Sequence, residues 1–415
     1  MNKFLVQGSR SLNGGIQIGG AKNSALKLMA ASLLAEGLTS LSNVPDIADV
    51  AIMVELLEAM GVEVQRTGHR IDIWVPHEIE PVAPYHLVER MRASISVLGP
   101  LLARIGRATV AMPGGDDFGS RPIDMHLQGL EQLGATFTHQ HGDIQAQAKV
   151  LKGAEVFLEF PSVGATENLL MAAVLARGTT TIENAAREPE ITDLANFLSQ
   201  MGALIDGIGT SRLRVDGVER LEPISYEVIP DRIEAATYLC ALAICGGELH
   251  LENARAEHME MLLRKLEEMG MHISEGNGGV RAKVTERLKS ADVSTLPYPG
   301  LATDYKPFLV AALSVASGAC MVTENIFAGR FRYVDELVRM GAEIKAEGRH
   351  AVVRGVERLS GAPVRAHDIR AGAALVIAGL GADGETIISD AHHVDRGYED
   401  LAGKLSSVGA QVSRT

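Results

Sequence analysis

The feature that most restricts what this chain can fold into is a phrase written six times: Leu-x-x-apolar-Gly-apolar-x-apolar. The copies are Leu57-Glu-Ala-Met-Gly61-Val-Glu-Val, Leu130-Glu-Gln-Leu-Gly134-Ala-Thr-Phe, Leu198-Ser-Gln-Met-Gly202-Ala-Leu-Ile, Leu266-Glu-Glu-Met-Gly270-Met-His-Ile, Leu337-Val-Arg-Met-Gly341-Ala-Glu-Ile and Leu405-Ser-Ser-Val-Gly409-Ala-Gln-Val. Their glycines recur roughly every 70 residues, which is the mark of a repeat architecture. Each copy reads as a helix stopped by glycine and followed at once by an alternating strand. A second helix-Gly-strand phrase is interleaved with the first, at Gly37, Gly106, Gly178, Gly246, Gly318 and Gly384. Short alternating stretches such as Arg70-Ile-Asp-Ile-Trp-Val75 and Arg212-Leu-Arg-Val215 supply more strands, so the unit is β-α-β-α-β-β. Periodicity alone leaves open a solenoid of six units or two closed groups of three.

The helices before the second set of glycines are apolar nearly all round, as in Ala165-Thr-Glu-Asn-Leu-Leu-Met-Ala-Ala-Val-Leu-Ala176. Such helices belong inside a domain, with the sheets outside. The 415 residues, 46% hydrophobic and 22% charged with 43 Gly and one Trp, suit a folded α/β protein of more than one domain. A net charge of −13 gives no general cationic field for a polyanion, which disfavours nucleic acid as a partner. Cys240, Cys245 and Cys320 lack CxxC spacing, which argues against a disulfide framework or a zinc site. No apolar run approaches the length of a membrane span, and the first residues lack a signal-type apolar core, so a cytoplasmic protein is expected.

The starts of the buried helices carry the polar residues. They are Gly19-Gly20-Ala21-Lys22-Asn23-Ser24, Glu89-Arg90-Met91-Arg92-Ala93-Ser94, Pro161-Ser162-Val163-Gly164-Ala165-Thr166, Pro230-Asp231-Arg232, Ala302-Thr303-Asp304-Tyr305-Lys306 and Asp368-Ile369-Arg370-Ala371-Gly372. Helix capping accounts for Ser162, Asp231, Thr303 and Asp368. It does not account for Lys22, Arg92 and Arg370, because a cation in the first turn opposes the helix dipole unless an anion lies between them. An anionic ligand is therefore expected, and the loop cations Arg121, Arg330 and Arg396 add to that expectation. Loop 112–122, Met-Pro-Gly-Gly-Asp-Asp-Phe-Gly-Ser-Arg-Pro, sets two carboxylates and a guanidinium among three glycines, so its backbone can approach a ligand closely. Gly19-Gly20-Ala21-Lys22 matches neither the P-loop nor the dinucleotide fingerprint, so neither ATP nor a dinucleotide is inferred.

Gly20-Ala-Lys-Asn23, Pro113-Gly-Gly-Asp-Asp-Phe-Gly-Ser-Arg-Pro122 with Asp124-Met-His126, Asn184-Ala-Ala-Arg-Glu-Pro189, Pro230-Asp-Arg-Ile233 and His393-Val-Asp-Arg-Gly397 together closely resemble the UDP-N-acetylglucosamine enolpyruvyl transferases. The resemblance runs essentially end to end. It implies an α/β fold of two inside-out α/β barrel domains, each of three β-α-β-α-β-β repeats with buried helices. One domain would comprise residues 1–21 and 230–415, and the other residues 22–229 with the mobile loop 112–122. It also implies transfer of the enolpyruvyl group of phosphoenolpyruvate to the 3′-hydroxyl of UDP-N-acetylglucosamine with release of phosphate. No metal or cofactor is implied, and the partners are those two small molecules, without nucleic acid or membrane.

By motif position the resemblance implies Asp116 as the acid and Asp304 as the base near the 3′-hydroxyl. Lys22, Arg121 and Arg396 would clamp phosphate, with Lys22 and Arg396 also counted as catalytic. Arg330 and Arg370 would lie on the phosphoenolpyruvate side with Asp368 orienting them, and Asn23 would touch the reacting pyruvyl group. Arg92, Pro122, Ile123, Asp124, Met125, Ser162, Val163, Gly164 and Ile326 match sugar-nucleotide positions, which Arg121 and Asp304 share. The chain departs from the common pattern at Asp116, where most of the family has Cys and a minority branch has Asp, and at Phe160-Pro161, where a Lys is usual. A loop carboxyl in place of a thiol implies insensitivity to fosfomycin, the epoxide that alkylates the Cys. The alternatives are 5-enolpyruvylshikimate-3-phosphate synthase, against which the Pro-Gly-Gly-Asp loop and Asp124-Met-His126 argue, and a UDP-sugar sensor without catalysis.

Overall fold

The computed structural model describes residues 2–9, 11–113 and 122–415. The repeat is clearest where the chain runs unbroken. Strand Glu155–Phe157 leads to helix Val163–Ala173, strand Thr179–Glu183, helix Pro189–Gln200 and strands Leu204–Asp206 and Arg212–Asp216. The first two strands pair in parallel, and the last two add antiparallel, giving a four-stranded sheet. Val156, Ile182, Leu213 and Val215 sit in register on its buried face, while Phe157, Arg212 and Arg214 alternate to solvent. Five further four-stranded sheets repeat this order of one parallel and two antiparallel pairings.

All six glycines of the leading phrase have left-handed backbone, with φ from 86° to 110°. At Gly202 the amide donates to Ser199 O at 3.0 Å and the Ala203 amide to Leu198 O at 3.0 Å, the two bonds that close a Schellman helix end. The same pair of bonds recurs at Gly61, Gly134, Gly270, Gly341 and Gly409. This explains the phrase: the leading Leu supplies the carbonyl three residues from the helix end, and the apolar residue after Gly turns back over that Leu.

The chain divides into two units with separate cores. One holds residues 2–19 and Pro230–Thr415. Its apolar helices Arg232–Cys245, Lys306–Leu313 and Ile369–Leu380 pack on one another, and the last is buried at every residue. Its outer helices are two-sided: Glu260–Met269 buries only Leu262, Leu263, Leu266 and Met269, one stripe of the cylinder. The other unit holds residues 20–113 and Pro122–Ile229, and there helix Leu98–Ile105 packs on Val163–Ala173, which is buried from Ala165 onward. Each fully buried Leu in these helices, such as Leu169 or Leu309, contributes about 1.5–3 kcal/mol. Helices sit in the middle of each unit and sheets outside, the inside-out order expected, with each unit's four-stranded sheets separate from one another among the described residues.

Two edge strands are exchanged relative to chain order. Leu12–Gln17 lies parallel to Gly247–Glu252, and Ser225–Glu227 takes the corresponding place beside Gly37–Ser42. The sixth sheet is completed by the start of the chain: Lys3–Gln7 lies antiparallel between Glu385–Ser389 and Gln411–Arg414. Lys3 and Thr415 exchange backbone hydrogen bonds of 3.0 Å in both directions.

Candidate active site

In the unit containing the C-terminal half, Asp304 is the centre of a charged cluster. It lies just before helix Lys306–Leu313 with its side chain 26% exposed. Its Oδ1 accepts from Arg330 Nη2 at 2.8 Å, and its Oδ2 from Arg370 Nε at 3.4 Å. Burial pushes the carboxyl up, but the two guanidinium charges outweigh it and hold Asp304 below the usual carboxylate range. Arg330 and Arg370 are both buried, and Arg370 Nη1 has no acceptor among the described residues. Arg370 also stacks over Tyr398, 5.5 Å from its ring centre. Asp368 caps helix Ile369–Leu380, accepting from the Arg370 amide at 2.8 Å and the Ala371 amide at 2.9 Å, so the helix end fixes where Arg370 begins. Arg396 stands at the end of the short helix His392–Asp395, half-buried.

Behind this cluster lie Lys306 and Glu324, to which sequence reasoning assigns no role. Lys306 is fully buried; its Nζ donates to Arg330 O at 2.5 Å, pairs with Glu324 Oε2 at 2.9 Å and lies 3.8 Å from the Phe331 ring centre. Burial lowers it to about 8, against the pull of the Glu324 carboxylate. The signal was available: Lys306 is one more cation in the first turn of an apolar helix. Thr303, expected as a helix cap, is not one. Its hydroxyl donates to Glu324 Oε2 at 2.8 Å and accepts from Arg330 Nη1 at 2.9 Å, because charged partners outcompete a backbone amide. Ile326 follows Glu324 on the same loop, and its amide donates to Glu324 Oε1 at 2.8 Å.

In the other unit Lys22 opens helix Lys22–Ala31, 8% exposed, and pairs with Asp49 at 2.7 Å. Asn23 follows it, half-buried. Lys27, one turn on, pairs with the buried Glu167 at 2.6 Å. Lys22 and Arg370 each also meet a protein carboxylate, Asp49 and Asp304, distant in sequence and so invisible to a local reading. Ser24 donates to Asp193, which also accepts from Tyr226 Oη at 2.7 Å.

Arg92 begins the 3-10 helix Arg92–Val97 and its Nη2 donates to Pro122 O at 3.3 Å, joining two of the expected sugar-nucleotide positions. Ile123 is buried at the entry of helix Asp124–Gln132, whose first residues Asp124 and Met125 are exposed and half-buried. Ser162 caps helix Val163–Ala173 through the Ala165 amide at 3.3 Å, with Val163 and Gly164 in the first turn. The side chain of Asn168 ties these segments together: it donates to Ile95 O at 3.2 Å and to His126 Nδ1 at 2.9 Å, and accepts from the Gly99 amide at 2.8 Å. Burial, with the charges of Arg92 and Lys27, lowers His126 to about 3, so it is a neutral acceptor and not a proton donor near pH 7. A Cβ at Gly164 would come within 3.0 Å of the His126 ring, which explains the glycine. Asp116 and Arg121 lie outside the described residues.

The sequence matches the family described as EPSP synthase (3-phosphoshikimate 1-carboxyvinyltransferase) over residues 6–405. It is 50% identical over 413 residues to UDP-N-acetylglucosamine 1-carboxyvinyltransferase of Corynebacterium jeikeium, covering 100% of this chain and 99% of that one. The enzyme of the same name from Nocardia farcinica is 51% identical over 418 residues, covering 99% and 98%. Among solved structures, the enolpyruvyl transferase NikO from Streptomyces tendae superimposes with a TM-score of 0.90 at 25% identity, over 100% of this chain and 98% of that one. The chain belongs to the enolpyruvyl (carboxyvinyl) transferase family of enzymes.

Proposed function

We propose that this enzyme transfers the enolpyruvyl group of phosphoenolpyruvate to the 3′-hydroxyl of UDP-N-acetylglucosamine, releasing phosphate, as the first committed step of peptidoglycan synthesis in the cytoplasm. The observation that carries this reading is half-identity along the whole chain to relatives bearing that activity's name. The chemistry of the charged groups agrees with it. Addition requires a proton for the methylene carbon of phosphoenolpyruvate, removal of the proton of the attacking hydroxyl, and stabilisation of anionic oxygens. Asp304, ionised between Arg330 and Arg370, is suited to receive the hydroxyl proton. The buried Arg370 Nη1 is suited to an oxygen of phosphoenolpyruvate. Lys22, Arg121 and Arg396 are assigned to phosphate, Asp368 to orienting Arg370, and Asn23 to the pyruvyl group. Arg92, Pro122, Ile123, Asp124, Met125, Ser162, Val163, Gly164 and Ile326 are assigned to the sugar nucleotide.

Asp116 is assigned as the acid, its carboxyl delivering the proton that a thiol delivers in most of the family. After addition, loss of a proton from the new methyl group and of phosphate gives the enol ether. The test is phosphate release from phosphoenolpyruvate with UDP-N-acetylglucosamine as acceptor, where turnover is expected, and with shikimate 3-phosphate, where none is. Turnover only with the latter, or tight binding of the sugar nucleotide without turnover, overturns the proposal. Asp116→Asn is expected to lose about 100-fold or more in kcat.

A further inference from the structure

Arg330 is held at both ends, and both grips lead to one buried carboxylate. The backbone oxygen of Arg330 accepts from Lys306 Nζ at 2.5 Å, and its Nη1 donates to Thr303 Oγ1 at 2.9 Å. Lys306 and Thr303 each bind Glu324 Oε2, at 2.9 and 2.8 Å. Glu324 Oε1 accepts from Thr295 Oγ1 at 2.8 Å and from the amides of Ile326 and Phe327 at 2.8 and 3.1 Å, which pins the start of the loop that leads to Arg330. Glu324 and Lys306 are both 0% exposed, so their charges are inaccessible to solvent. Two buried charges are a costly way to brace a loop, and an apolar pair of similar volume would serve stability as well or better. What an apolar pair could not do is orient a guanidinium.

We infer that Glu324, acting through Lys306 and Thr303, is a positioning residue that sets the backbone and the guanidinium of Arg330 for the phosphoenolpyruvate anion. The inference rests on the proposed activity for the identity of that anion. Thr303 is the informative place to break the device, since valine has the same shape without the hydroxyl and leaves the Lys306–Glu324 pair whole. In Thr303→Val, kcat/KM for phosphoenolpyruvate is expected to fall about ten-fold, through loss of the hydrogen bond that Arg330 Nη1 donates to Thr303 and of the one that ties Thr303 to Glu324. The affinity for UDP-N-acetylglucosamine, titrated calorimetrically without phosphoenolpyruvate, is expected to stay within about two-fold, and Thr303→Ser to restore kcat/KM to within about three-fold of the native enzyme.

An unchanged kcat/KM in Thr303→Val overturns the inference. So does an equal loss in Thr303→Ser, which would report packing, or a parallel loss of sugar-nucleotide affinity, which would report general damage. Failure of the activity reading shows itself separately, as absence of phosphate release by the native enzyme. The device is then read by direct calorimetric titration of phosphoenolpyruvate, with the same order expected: native and Thr303→Ser alike, Thr303→Val weaker. Any other order overturns it.

Discussion

A carboxylate gripped by two buried guanidinium groups is ionised but weakly basic. In the proposed reaction a phosphoenolpyruvate anion that shares Arg330 and Arg370 with Asp304 would raise the proton affinity of that carboxylate. The same clamp has a thermodynamic signature. A carboxyl held lower in the folded chain than its ordinary 3.8 contributes stability that is fully present above that value and is lost as pH falls through the folded value. The stability gap between the native protein and Asp304→Asn, from urea unfolding, is therefore expected to be constant between about pH 5 and 8 and to shrink below about pH 4. A gap that widens toward acid would show that the guanidinium groups do not hold the carboxylate. At the opposite end of the reaction, Asp116 is a poor nucleophile toward an epoxide compared with a thiolate. Fosfomycin is expected to leave the enzyme active, and Asp116→Cys to be inactivated stoichiometrically. Type and position alone single out Lys22 and Arg370 as cations at the starts of apolar helices, and the family resemblance adds Asp304. The pairings Lys22–Asp49, Asp304–Arg330 and Arg370–Tyr398 were not legible in the sequence, since each joins residues more than twenty positions apart.

At the level of elements, the glycine phrase was readable because a Schellman ending is local: one leucine, one left-handed residue and one apolar residue within six positions. Gly202 has φ of 109° and open space where a Cβ would point, so Gly202→Ala tests conformation without a clash. The substitution is expected to cost about 1–2 kcal/mol and to lower Tm by a few degrees, with activity retained below the transition. A change of under about 0.3 kcal/mol would mean that the helix end tolerates an ordinary residue. Thr303 shows the limit of this kind of reading. The cap rule weighs a hydroxyl against its neighbouring amides and cannot see a buried carboxylate arriving from Glu324. Edge-strand choice has the same character: three-residue strands such as Ser225–Glu227 carry too little pattern to name the sheet they will join.

On the scale of the whole chain, the two units differ in how they are assembled from sequence. The described residues of one unit, 20–113 and 122–229, all fall in the first part of the chain after residue 19, and among them its three four-stranded sheets are built without a strand from elsewhere. Expressed alone, the fragment 20–229 is expected to unfold cooperatively in urea, and a featureless, non-cooperative loss of circular dichroism would refute that. The other unit has its pieces at both ends: Lys3–Gln7 is an interior strand whose neighbours are Glu385–Ser389 and Gln411–Arg414. A ribosome emits the strand first and its partners last. The middle of the protein can therefore fold while synthesis continues, but the opening strand must wait, unpaired, for nearly the whole chain to be made. Its consecutive apolar residues Phe4, Leu5 and Val6 leave it open to wrong partners in that interval, which gives a chaperone reason to hold it.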